Sequence, residues 1–119
     1  MNLKQRVKKV RDAYVIRQVR RLTLPGFPEQ PPRRYRVRFS GRVQKVGFRL
    51  EVCELARRLG LTGFCQNLEN GDVLAELQGP EERIRYLISF MESLKRIRIR
   101  QKVMTELELW ADERDFLRL

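Results

Sequence analysis

The chain has no histidine and only two cysteines among its 119 residues, and these absences narrow its chemistry. Without histidine it has neither a His-based metal site nor a Ser-His or Cys-His pair for nucleophilic catalysis. Cys53 and Cys65 fall in a predicted helix and a predicted strand, without the spacing of zinc ligands. We therefore expect two buried, reduced thiols and no metal or other cofactor. A disulfide would imply export, which nothing in the sequence indicates.

Long apolar runs are also absent. No stretch approaches the ~20 apolar residues that a membrane-spanning helix needs. The charged N-terminus is not followed by the apolar core of a secretory signal. The sequence therefore predicts a cytoplasmic protein, and its length suits one domain with one modest core.

Acidic residues are scarce relative to basic ones. The chain has 26 Lys and Arg against 15 Asp and Glu, a net charge of +11. Residues 1–34 contain ten of the basic and two of the acidic residues, so most of the excess is N-terminal. Anionic small molecules, nucleic acid and acidic membrane surfaces are all compatible partners.

The N-terminal segment is predicted to be a basic helix followed by a linker. Leu3, Val7, Val10 and Tyr14 form one apolar face, and Val15, Val19 and Leu22 form a neighbouring one. Four prolines within residues 24–32 end the pattern and predict an extended linker. We therefore divide the chain into an appendage, residues 1–33, and a domain, residues 34–119.

The role of this appendage stays open in the sequence. Three possibilities are together favoured: the helix packs on its own domain, it pairs with a second copy, or it is loosely ordered. Contact with nucleic acid or an anionic membrane is less favoured. We expect a monomer whose principal partner is a small molecule.

The rest of the chain alternates between strand and helix patterns. Strands are predicted at 35–39, 61–68, 72–78 and 103–110, with a short last strand at 116–119. Val52, Leu55, Ala56 and Leu59 recur at helical spacing, and Pro80 opens a second helix. The order is the split βαβ pattern, which predicts an α+β sandwich: an antiparallel sheet with two helices on one face.

The segment Gly41–Arg49 lies between the first strand and the first helix of this domain. A glycine-bearing turn there directs backbone N–H groups at one point, and the helix dipole adds to that field. Arg49 can add a forked positive charge. The segment therefore predicts a site for phosphate or another small oxyanion, with its loop formed by Val43, Gln44, Lys45, Val46, Gly47 and Phe48.

This loop and a second segment, Gly60–Gly71, closely resemble acylphosphatase over about residues 34–119. The loop of that family reads Gly-x-Val-Gln-Gly-Val-x-Phe-Arg, matched by Gly41, Val43, Gln44, Val46, Phe48 and Arg49. The family then has Gly-Leu-x-Gly-aromatic and Asn-x-x-(Asp/Asn)-Gly, matched by Gly60, Leu61, Gly63, Phe64, Asn67, Asn70 and Gly71. The resemblance implies the ferredoxin-like fold.

The resemblance also implies a reaction and two catalytic residues. The reaction is hydrolysis of the carboxyl–phosphate bond of an acyl phosphate, without metal or cofactor. Arg49 would grip the phosphoryl oxygens, and Asn67 would orient the attacking water.

Two positions depart from the family pattern. Lys45 stands where the family usually has glycine, so a left-handed backbone there would be strained. The run Lys95–Arg100 replaces a frequent Gly-Pro, and we interpret it as a solvated basic edge or, less favoured, a contact for an acidic partner.

An alternative function is a non-catalytic module that binds phosphate, other anions or nucleic acid. RNA-recognition domains share the element order, but they display aromatic side chains on a central strand for base stacking. The corresponding strand here, Asp72–Gln78, has none. Lys45 keeps open a phosphate-binding domain without turnover.

Overall fold

The computed structural model describes all 119 residues as three helices and five strands. The helices are α1 (Leu3–Arg21), α2 (Phe48–Arg58) and α3 (Glu81–Ser93). The strands are β1 (Pro32–Arg42), β2 (Thr62–Asn67), β3 (Val73–Pro80), β4 (Arg98–Leu107) and β5 (Phe116–Arg118). No candidate for a membrane-spanning helix occurs among the three helices.

The five strands form one sheet in the order β4-β1-β3-β2-β5. The first four strands pair antiparallel, as the split βαβ pattern predicts, so the ferredoxin-like α+β fold is confirmed. The antiparallel prediction fails only at the sheet edge, where β5 pairs parallel to β2. This short strand can run parallel because the chain returns to β2 through a long excursion after β4 rather than through a hairpin.

The core lies between the sheet and helices α2 and α3. The periodic apolar residues of the first domain helix, Val52, Leu55, Ala56 and Leu59, are all fully buried, as predicted. Phe39 of β1 packs against Phe48, with ring centroids 5.0 Å apart. Because Phe48 is the first residue of α2, this contact fixes the point where the glycine loop enters the helix.

Helix α1 packs through a different face from the one with the longest apolar stripe. Val15 and Val19 are fully buried, whereas Val7 and Val10 remain 60% and 71% exposed. Arg58 of α2 donates to the carbonyl oxygen of Val19 at 2.8 Å, which secures the C-terminal end of α1. Since α2 is only eleven residues long, it covers the second half of α1, and the first half extends beyond it.

The proline-rich segment after α1 also contacts the domain. The ring of Phe27 meets Tyr86 of α3 edge-on at 5.6 Å and lies beneath the Arg83 guanidinium at 5.0 Å. The side-chain oxygen of Gln30 accepts a hydrogen bond from the Glu82 backbone N–H, one of the free donors in the first turn of α3. These contacts hold the linker along α3. That residues 34–119 fold independently of residues 1–33 stays a prediction.

The basic run Lys95–Arg100 forms the predicted solvated edge only in part: Lys95, Arg98 and Arg100 are exposed, whereas Arg96 is not. The last long strand begins at Arg98 rather than at residue 103, because the eleven-residue β1 extends far enough to pair with it, Arg42 opposite Arg98. Ile97 is buried. Arg96 turns inward and pairs with Glu51 of α2.

Candidate active site

The glycine loop, residues 43–47, joins the end of β1 to the start of α2. Val43 and Val46 are buried and anchor it to the core. The backbone N–H groups of residues 44–47 donate no hydrogen bond to any other group of the protein. The loop therefore presents a short series of free donors beside the N-terminus of a helix, which is the chemistry that an oxyanion requires.

Gln44 connects this loop to the hairpin that carries Asn67. Its side-chain amide nitrogen donates to the carbonyl oxygens of Leu68 and Asp72, both at 2.8 Å. Asn67 is the last residue of β2, directly before that turn. Gln44 thereby fixes the spacing between the two segments that the sequence motifs identify.

Two arginines from other parts of the chain hold carbonyl oxygens of the loop. Arg11 of α1 donates to the Lys45 carbonyl at 2.9 Å, and Arg96 donates to the Val46 carbonyl at 2.8 Å. The C=O and N–H of a trans peptide unit point in opposite directions. Holding these two carbonyls therefore directs the N–H groups of Val46 and Gly47 away from the arginines.

Arg96 also pairs with Glu51, in the first turn of α2. Glu51 is fully buried, and one of its carboxylate oxygens, Oε1, accepts from the Arg96 guanidinium. The other, Oε2, has no partner in the protein. Burial raises the pKa of Glu51, and the pairing with Arg96 opposes that rise. A single guanidinium therefore connects the loop to a buried charge at the helix start.

Two left-handed positions, on either side of Val46, shape the loop. Gly47 has φ +81°, and a Cβ there would lie 3.2 Å from Nε of Arg11, so both conformation and space favour glycine. Lys45 has φ +62° and is the one non-glycine residue of the chain with positive φ. The strain that the sequence predicts for a left-handed Lys45 therefore applies.

Replacing Lys45 by glycine should relieve this strain. We expect Lys45→Gly to raise the free energy of unfolding by about 1 kcal/mol, since the left-handed region costs a side-chain-bearing residue roughly that much. Because Lys45 lines the same cavity as Arg49 and Asn67, the loss of its charge should raise KM at low salt and leave it less affected at high salt. Urea unfolding and kinetics at two ionic strengths test both effects, and an unfolding free energy that does not rise would contradict the strain.

The loop, Arg49 and Asn67 border one cavity of about 620 Å³. Its lining residues are Lys4, Gln5, Val7, Lys8, Arg11, Asp12, Val43, Lys45, Gly47, Phe48, Arg49, Leu50, Asn67 and Arg118. Six of the fourteen are Lys or Arg and one is Asp. Of the predicted loop residues, Gln44 and Val46 are not among them, because Gln44 turns to the hairpin and Val46 into the core.

Arg49 lies in the first turn of α2, with its guanidinium toward the sheet edge. Its Nη1 donates to the carbonyl oxygen of Leu119 at 2.5 Å, beyond the end of β5. This bond uses one of the five guanidinium N–H groups and leaves the others free for a ligand.

The sequence motifs did not identify the contribution of α1 to this cavity. Lys4, Lys8 and Arg11 line it from the N-terminal helix, and Arg118 lines it from β5. The basic character of residues 1–34 was the one indication in the sequence that this segment could contribute to an anion site. Periodicity alone could not say which face of the helix would lie over the loop.

The two cysteines take no part in this site. Both are free thiols and both are buried, as predicted. Burial raises the pKa of Cys53 to about 11 and raises that of Cys65 further above its ordinary range. Both thiols therefore stay protonated at neutral pH and are not nucleophiles.

A ferredoxin-like sandwich with a glycine loop, an arginine at the helix start and a facing asparagine defines a domain that handles small phosphorylated molecules. The family model for acylphosphatase matches residues 35–117. The chain belongs to the acylphosphatase family, as its motifs predict. The match also confirms the prediction that the chain is a hydrolase, an acylphosphatase.

Curated relatives and solved structures agree with this assignment. Acylphosphatase of Clostridium beijerinckii is 44% identical over 63 residues, which are 53% of this chain and 67% of that protein. Acylphosphatase of Picrophilus torridus is 39% identical over 56 residues, 47% of this chain and 69% of that one. The crystal structure of acylphosphatase from Bacillus subtilis superimposes with a TM-score of 0.68 at 26% identity, covering 73% of this chain and 98% of that one.

Proposed function

We propose that the chain hydrolyses acyl phosphates to a carboxylate and inorganic phosphate, with Arg49 and the loop holding the phosphoryl group and Asn67 placing the water. The observation that supports these roles is the shared cavity, in which Arg49, Asn67 and the loop with its free N–H groups meet. From the sequence we also propose that the chain is a monomer and that it is cytoplasmic.

The loop and Arg49 stabilise charge on the phosphoryl oxygens. The residues assigned to the loop are Val43, Gln44, Lys45, Val46, Gly47 and Phe48. Backbone N–H donors at a helix N-terminus favour negative charge, and a guanidinium binds two oxygens at once. The Arg11 and Arg96 bonds hold the loop, and the bond to the Leu119 carbonyl holds Arg49, before the substrate arrives. Both groups therefore act with little reorganisation as charge builds.

Asn67 orients the nucleophile. Its amide can accept a hydrogen bond from water and donate one to a phosphoryl oxygen without becoming charged. Gln44 holds the hairpin next to the loop, so that the distance between water and phosphorus is fixed. The water oxygen forms a bond to phosphorus as the bond between phosphorus and the acyl oxygen breaks.

This reaction needs no strong acid or base from the protein. The leaving group is a carboxylate, whose pKa near 4 lets it depart without protonation at neutral pH. The proton of the attacking water can pass to a phosphoryl oxygen of the substrate. The absence of histidine from the chain is thus compatible with turnover.

The experiment that tests the proposal compares turnover with phosphate binding. Asn67→Ala should lower kcat about 100-fold, the order expected when a reacting group is misplaced. Its affinity for inorganic phosphate should change less than about twofold, because Arg49 and the loop remain. Benzoyl phosphate hydrolysis, with and without excess chelator, and phosphate calorimetry measure the two quantities.

A matched control is Asn70→Ala, which removes an amide from the same hairpin but outside the cavity lining. It should keep near-normal kcat. Phosphate binding without turnover by the unmodified chain would instead favour the non-catalytic anion-binding alternative. Equal loss of phosphate affinity in Asn67→Ala and Arg49→Ala would refute the separate roles.

The division at residue 33 predicts that residues 34–119 fold without the N-terminal segment. The solved relative from Bacillus subtilis, 98% covered by 73% of this chain, supports this division. Because Val15 and Val19 are fully buried, we expect the truncated protein to melt several degrees lower while retaining hydrolysis of benzoyl phosphate. Thermal melting and the hydrolysis assay decide it, and a truncated chain without a cooperative transition would make α1 an integral part of the domain.

A further inference from the structure

Helix α1 forms one wall of the cavity that contains Arg49 and Asn67. Six of the fourteen lining residues belong to it: Lys4, Gln5, Val7, Lys8, Arg11 and Asp12. The family model begins only at residue 35, so this wall is additional to the motifs that define the family. The substrate pocket of this chain is therefore built in part by a segment that lies outside the family model.

Two cations on this wall have no partner within the protein. Arg11 pairs with the neighbouring Asp12 at 3.0 Å and also holds the Lys45 carbonyl, so both charges of that pair are satisfied. Lys4 and Lys8 form no ion pair and no hydrogen bond through their side chains. The α1 wall thus contributes two uncompensated positive charges to the cavity.

The placement of these lysines is unfavourable for the helix itself. Lys4 and Lys8 are four residues apart, so like charges face each other along one side of the helix. Lys4 also lies in the first turn, where the helix dipole disfavours cations, and this turn has no acidic residue. Helix stability therefore does not account for them, whereas an anion in the cavity would.

The cavity has space for more than a phosphoryl group. Its volume of about 620 Å³ equals roughly twenty water molecules at about 30 Å³ each. The loop and Arg49 occupy the end where α2 begins, while Lys4 and Lys8 border it from the first half of α1, which extends past α2. A substrate held by its phosphoryl group must extend its acyl part into the remaining volume.

We propose that Lys4 and Lys8 form a second anion subsite, so that the chain prefers acyl phosphates whose acyl group has an oxyanion of its own, a carboxylate or a second phosphate. This inference rests on the proposed function, since it assigns the acyl end of the same substrate. Each exposed ion pair contributes a factor of up to about five in binding, so two should give a preference of about tenfold.

The test compares benzoyl phosphate with 4-carboxybenzoyl phosphate, which differ by one carboxylate, in the full-length chain. Each kcat/KM is corrected for the spontaneous rate. The unmodified chain should prefer the carboxylated substrate about tenfold at low salt, and the preference should shrink as salt is raised. Lys4→Ser/Lys8→Ser should lower kcat/KM for the carboxylated substrate about tenfold more than for benzoyl phosphate.

The control is Arg6→Ser/Lys9→Ser, which removes the same charge from the same helix outside the cavity lining. It should keep the preference of the unmodified chain. Equal kcat/KM for the two substrates, or an equal change of their ratio in both double variants, would overturn the subsite and leave the proposed function standing. Hydrolysis of neither substrate by the unmodified chain would overturn the proposed function and the subsite with it.

Discussion

Replacing Arg49 by alanine is expected to lower kcat/KM for an acyl phosphate by at least about a thousandfold. Removing one preorganised donor to a developing oxyanion costs about 10² to 10³ in rate, and a guanidinium supplies two such donors together with a full charge. Phosphate affinity should fall as well, because Arg49 also contacts the ground state. The assay is hydrolysis of benzoyl phosphate, with inorganic phosphate as the binding probe.

Two further variants separate charge from geometry. Arg49→Lys keeps the charge but loses the fork, so it should recover only a small part of the activity. Arg118→Ala removes the same charge from another position on the cavity lining and should lower kcat/KM less than about tenfold. If Arg49→Ala kept a tenth of the activity, Arg49 would not be the residue that holds the phosphoryl group.

The position of Arg49 beside the glycine loop could be predicted from the sequence because the residues that determine it are close together in the chain. A strand, a glycine turn and a helix start lie within nine consecutive residues, and the physics of the anion site follows from that order. Asn67 required a second motif, but the distance between the two motifs is bridged by Gln44, which is itself within the loop. The fold could be predicted for the same reason, because the apolar periodicity of each helix and strand lies within that segment alone.

The parts that the sequence did not predict depend on long-range contacts. Val15 and Val19 are buried rather than Val7 and Val10 because α1 crosses a short partner helix, and helical spacing does not encode the crossing point. Arg96 was interpreted as part of a solvated basic run, yet its partner Glu51 is 45 residues away in the chain. The sequence of a basic run does not indicate which of its charged residues turns inward.

The pair Arg96–Glu51 leads to the second large expected effect, on stability. Arg96→Ala should lower the free energy of unfolding by about 3 to 5 kcal/mol, because it leaves a fully buried carboxylate without its cation. Lys102→Ala is the control: it breaks an exposed pair with Glu92 and should lower stability by less than about 1 kcal/mol. Urea unfolding at pH 7 measures both.

The stability deficit of Arg96→Ala should depend on pH in a defined direction. Burial raises the pKa of Glu51, and without Arg96 nothing opposes that rise. A carboxyl whose folded-state pKa exceeds its unfolded value binds protons more tightly in the folded state, so its contribution to stability is lost as pH rises through the folded pKa. The variant should therefore recover stability relative to the unmodified chain as the pH is lowered from 7 toward 5.

A double variant distinguishes the buried charge from the loop contact. Arg96→Ala/Glu51→Gln removes the unpaired carboxylate, so we expect it to regain about half or more of the lost stability and to lose the pH dependence. It does not restore the bond to the Val46 carbonyl, so the loop stays less ordered and kcat/KM should remain about tenfold or more below normal. Activity that returned together with stability would show that Arg96 acts through the fold alone, without positioning the phosphate loop.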